Sequence, residues 1–154
     1  MIDRRPVTQA VAQLLATLTG KPVGQGVVPL DSAGRPVPPP YTLLYPLEQD
    51  NDDGTLADNG SAAVASYQAT FVSGPVPGNA NSRGTVEQAE WLADKARAIL
   101  ARPADGSPGY AHPLTIPGVI CYRRTASEAG ATSEAEDAII TSVIRFQFYL
   151  EAAA

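Results

Sequence analysis

Apolar and polar positions alternate most regularly near the end of the chain, in "DAIITSVIRFQFYLEAAA". Ile140, Ser142, Ile144, Phe146, Phe148 and Leu150 fall on one side; Ile139, Thr141, Val143, Arg145, Gln147 and Tyr149 fall on the other. This is the period-2 signature of a strand with one buried face. A strand so rich in β-branched and aromatic residues needs a paired neighbour and an apolar cover, both lying earlier in the chain.

A second alternation, in "AAVASYQATFVS", sets Ala63, Ala65, Tyr67, Ala69 and Phe71 against Val64, Ser66, Gln68, Thr70 and Val72. The short run "YTLLYPL" before it reads as a strand that is at an edge or ends at Pro46, because proline cannot donate to a ladder. Helical spacing replaces alternation at Val7, Val11, Leu14, Leu15 and Leu18, with Pro6 suited to a first turn and Gly20 and Pro22 to a stop. The clearest helix is "TVEQAEWLADKARAIL", where Thr85 and Gln88 have capping-box spacing. Its stripe of Ala89, Leu92, Ala93, Ala96, Ile99 and Leu100 would lie close against a sheet. "LTIPGVICYRR" reads as a strand kinked or bulged at Pro117 and Gly118.

Between these elements the chain is rich in Pro, Gly and acids. Residues 23–40, "VGQGVVPLDSAGRPVPPP", read as an extended arm or long loop with a contact role, since repeated proline forbids helix and central strand alike. "EQDNDDGTLADNGS", "GPVPGNANSRG" and "TASEAGATSEAED" read as loops. The predicted order is α-β-β-α-β-β: an α+β fold with a mainly antiparallel or mixed four-stranded sheet and both helices on one face. In it the last strand pairs with the one before it or sits inside the sheet. Residues 1–154 are expected to form one domain with a modest core.

A formal charge of −5 deprives the chain of the positive field that draws proteins to nucleic acid or anionic lipid. No window approaches the roughly 18 apolar residues of a membrane span. The basic start before an apolar-leaning stretch is read as an amphipathic helix, not as a signal peptide. One cysteine, Cys121, excludes an internal disulfide, so intracellular production is expected.

Candidate chemistry is sparse. His112, the one histidine, removes most metal sites and stands in "GYAHPLT", a loop context that favours a structural or solvated role. Cys121, inside a strand, reads as a small core residue. "QDNDDGTLADNG" fails as an EF-hand loop: with Gly54 at the sixth position, Gln49 and Gly60 fall where acids are needed. "GQGVVP" lacks the strand and helix that flank a phosphate loop, and "NGS" at Asn59 is a sequon without a secretory signal. Trp91 lies off the stripe of its helix, and the pairs Arg4/Arg5 and Arg123/Arg124 are solvated charge or partners for a neighbouring subunit's acidic loops. No catalytic, metal or cofactor site is expected.

The element order, with "PVTQAVAQLLATL", "PPPYTLLYPLE", "ASYQATFVSG", "TVEQAEWLADKARAIL" and "DAIITSVIRFQFYLEA", resembles the tail terminator proteins of long-tailed, non-contractile phages, particularly of actinobacterial hosts. The resemblance implies a homo-oligomeric, hexameric ring on the tail tube that stops tube polymerisation. It would join tail to head through neck or connector proteins, and DNA would pass through it without specific binding. The implied location is the head-proximal end of the tail in the virion, after synthesis in the host cytoplasm. Candidate interface residues are Trp91, Asp50, Asp52, Asp53, Arg123 and Arg124. Two rivals remain: a head-side neck or head-completion ring protein, and a small hydrolase or ligand-binding domain using His112 with Asp or Glu neighbours.

Overall fold

The structure, a computed structural model, describes residues 1–54, 60–79, 81–134 and 138–153. Helix α1 (Arg4–Thr19) buries Val7, Val11, Leu14 and Leu15 along the stripe read from the sequence. Gly20 ends it with a left-handed φ of 66°, donating its N–H to the Ala16 carbonyl. Helix α2 (Val86–Arg97) buries Ala89, Leu92, Ala93 and Ala96, and a turn of 3-10 helix at Ala98–Leu100 carries Ile99 into the same core.

The strands are β1 (Val23–Gln25), β2 (Tyr41–Asp52), β3 (Ala62–Ser73), β4 (Val119–Glu134) and β5 (Ile139–Ala152). They form one five-stranded mixed sheet in the order β1-β2-β3-β5-β4. Only β1 runs parallel to its neighbour, through Val23↔Thr42, Gly24↔Leu43 and Gln25↔Leu44. The terminal strand β5 thus lies inside the sheet, between β3 and β4.

Three expectations need correction. The sheet has five strands, not four, because Val23–Gln25 escapes the prolines on either side and pairs with β2. Strand β2 continues through Pro46 to Asp52, so Asp50 and Asp52 belong to a strand and not to the acidic loop. Pro46 is tolerated because β1 covers only Thr42 to Leu44, leaving β2 as the sheet's edge at that point. Likewise β4 starts after Pro117 and Gly118 and carries all of "TASEAGATSE" to Glu134; the backbone of this polar stretch pairs with β5 although few of its residues are apolar.

One face of the sheet packs beneath both helices. Cross-strand rows such as Leu44, Ala69 and Ile144, or Tyr67 and Phe146, build it, and these residues are fully or almost fully buried. Alanines at positions 63, 65 and 69 keep β3 thin, so that helices can close over Phe71, Phe146 and Phe148. Tyr67 meets Phe148 edge-on at 6.0 Å, and its hydroxyl shares a 2.8 Å hydrogen bond with Thr8 Oγ1 of α1. Burial pushes the Tyr67 phenol above its ordinary pKa.

Bulges decide which side chains point where. One extra residue between Pro46 and Gln49 turns Gln49 and Asn51 toward the helices and Asp50 and Asp52 away from them. Another, at Tyr122, places Arg123 opposite Tyr149 and Arg124 opposite Phe148. Strict alternation from Cys121 would have exchanged the faces of those two arginines.

Candidate functional site

The candidate residues do not converge on one pocket. Asp50, Asp52 and Asp53 lie at the β2 edge of the sheet and Arg123 at the β4 edge, while Trp91 projects from α2. Trp91 is 43% exposed, has the Lys95 ammonium 5.8 Å from its ring, and lines a groove with Lys21, Pro40, Thr85, Glu87 and Gln88.

Arg124 differs from the solvated or partner-facing arginine expected. It is buried at 7% exposure, and its guanidinium donates to the carbonyls of Ile99 at 3.0 Å and His112 at 2.8 Å. It also stacks on Tyr110, whose hydroxyl accepts the Arg124 backbone N–H at 2.7 Å. Arg124 is therefore engaged within its own fold. Arg123 keeps the outward position, exposed and 4.9 Å from the centre of the Tyr149 ring.

At the other edge Asp50 and Asp52 are exposed. Asp53 has an ion pair with the Met1 amine at 2.7 Å, and the hydrogen bond from that amine holds its carboxyl below the usual range. The register joins the two edges. Asp50 pairs with Val64, Val64 with Tyr149, and Tyr149 with Arg123, so acid and base end one cross-sheet row on the helix-free face. The row was hidden in the sequence, since it needs the strand order and both bulges. Among the described residues no strand pairs with the outer edge of β4, or with β2 beyond Leu44.

The residues with chemical potential stay apart. His112 is half-buried, and its groove is lined by Ala10, Gln13, Leu14, Thr17, Pro113 and Thr115, without a carboxylate among them. Cys121 packs against the core as expected, and burial pushes its thiol pKa up, away from the thiolate a nucleophile needs. Among the described residues no group of three His, Cys, Asp or Glu side chains could hold a metal ion, and no helix is long and apolar enough to cross a membrane. Asn59, of the sequon, lies outside the described residues.

No protein-family model and no curated protein matches the chain. Among solved structures the fold is shared with a chain of the virion of a native gene transfer agent particle. The TM-score is 0.60 at 18% identity, covering 95% of each chain.

Proposed function

We propose that the chain is a structural virion protein, not an enzyme, which assembles into a ring capping a phage tail tube, stops tube growth and offers the surface on which tail and head join. The observation that carries the virion reading is the fold it shares, over 95% of both chains, with a component of a gene transfer agent virion. The terminator role rests on the sequence resemblance.

The edges support a ring. Two different surfaces on opposite sides of a subunit make a head-to-tail contact, which closes when the rotation between copies divides a circle. Here β2 and β4 run antiparallel, as their pairings through β3 and β5 require. A rotation about an axis along the strands brings the Asp50 edge of one copy against the Arg123 edge of the next, opposite charges at one level.

The test is mass by light scattering over a concentration series, with and without tail-tube protein from the same phage. The expected result is a ring of about six subunits, free or formed only on tube ends whose growth then stops. A monomer or dimer indifferent to tube protein overturns the terminator reading and directs the search to head-side neck proteins.

A further inference from the structure

Beside β1 the chain builds a small projection held by its own hydrogen bonds. In the hairpin 29–37, the Asp31 N–H donates to the Arg35 carbonyl at 2.8 Å and the Val37 N–H to the Pro29 carbonyl at 2.9 Å. Asp31 Oδ1 accepts the N–H groups of Ala33 and Arg35, both at 2.9 Å. Such internal bonding fixes the hairpin while leaving it in solvent. Val27 is 68% and Leu30 61% exposed, and the Arg35 side chain is 79% exposed, only loosely paired with Asp31 at 3.6 Å. Leu30 on the hairpin and Val27 just before it are thus large apolar side chains left to solvent beside a fixed projection.

The opposite edge holds a groove between α2 and strands β4 and β5, lined by Glu90, Asp94, Arg97, Glu128, Ser142 and Val143. Arg97 pairs with Asp94 and Glu128, so carboxylates outnumber the guanidinium and Glu90 adds to the excess. Its position is set by the sheet register. Gln25 at the hairpin's base pairs with Leu44, Leu44 with Ala69, Ala69 with Ile144, and Ile144 with Glu128. The next row joins Gly24 through Leu43, Thr70 and Val143 to Gly130. Hairpin base and groove therefore end the same rows, as Asp50 and Arg123 end theirs.

We infer that the hairpin 29–37 of one copy seats in the α2–β4–β5 groove of the next, with Arg35 among Glu90, Asp94 and Glu128 and the apolar residues Val27 and Leu30 covered by the neighbour. The inference rests on the head-to-tail ring and adds a second contact to it. The Asp50–Arg123 row and the Arg35 hairpin facing the acidic groove lie on the same two sides of the sheet, so one rotation between copies satisfies both.

The experiment is disulfide trapping in the full chain, with Cys121→Ala to remove the native thiol. One variant carries Ala33→Cys and Glu90→Cys, the other Asp50→Cys and Arg123→Cys; all four are exposed positions. Asp50 and Arg123 have strands β3 and β5 between them, beyond the reach of a disulfide within one chain, and a bridge within one chain of the Ala33/Glu90 variant would run as a monomer and not in a ladder. Ladders of linked copies from both variants are the expected result, and Arg35→Glu should weaken assembly about tenfold with recovery in Arg35→Glu/Glu90→Arg. Ladders from the Asp50/Arg123 variant alone overturn the hairpin contact and leave the ring standing. No ladder from either variant across the concentration series overturns both.

Discussion

Arg124 ties together stretches far apart in sequence: Ile99 after α2, His112 in the following loop and Tyr110 beneath its own strand. A charge buried this deeply is tolerable because its guanidinium meets carbonyl oxygens and an aromatic face instead of bare hydrocarbon. Arg124→Ala leaves the buried Ile99 carbonyl without that donor. It should lower the free energy of unfolding by about 2–4 kcal/mol in urea titrations, and Arg124→Lys should recover only part, lacking the planar guanidinium that stacks on Tyr110. Loss of less than about 0.5 kcal/mol in the alanine variant would contradict the role given to those bonds. Cys121 offers a pH test. Its raised pKa means less thiolate at any given pH than in an ordinary cysteine, so alkylation of the folded protein should be slow near neutrality. Its rate should climb only at pH above the range where free cysteine reacts; an ordinary profile would show the thiol to be solvated.

At the scale of elements, α2 is locked to the sheet by a hydroxyl relay. Thr85 caps the helix by accepting the Gln88 N–H, as the capping-box spacing predicts. The return bond is replaced: buried Ser73 of β3 accepts the Thr85 N–H at 2.9 Å and donates to Gln88 Oε1 at 2.7 Å. Gly84 makes this approach possible, because a Cβ there would lie 2.4 Å from the Ser73 carbonyl oxygen. Ser73→Ala should cost about 1–2 kcal/mol, measured by chemical denaturation, without changing subunit assembly. Gly84→Ala should cost more, since backbone must move to admit the methyl group.

At the scale of the whole molecule, the proposed ring makes assembly sensitive to charge at the open edges. Asp50→Arg or Arg123→Asp should each raise the concentration needed for assembly by about tenfold, and the double exchange should restore it. Light scattering of the three variants at low and high salt reads both the effect and its screening. Full assembly by either single variant would remove the Asp50–Arg123 row from the contact. His112→Ala should leave fold and assembly unchanged; loss of function with both retained would revive a catalytic role for the histidine.

The amino-acid pattern alone determined the two helices, their buried stripes, the cap at Thr85 and the alternating faces of β3 and β5. Each depends on residues close in sequence, where periodicity and capping chemistry act directly. The tertiary structure alone decided the fifth strand, the extension of β2 and β4 into polar sequence, and the fates of Arg123 and Arg124. Those outcomes turn on pairing with a partner strand and on single-residue bulges, which shift every following side chain to the other face and have no signature in local composition.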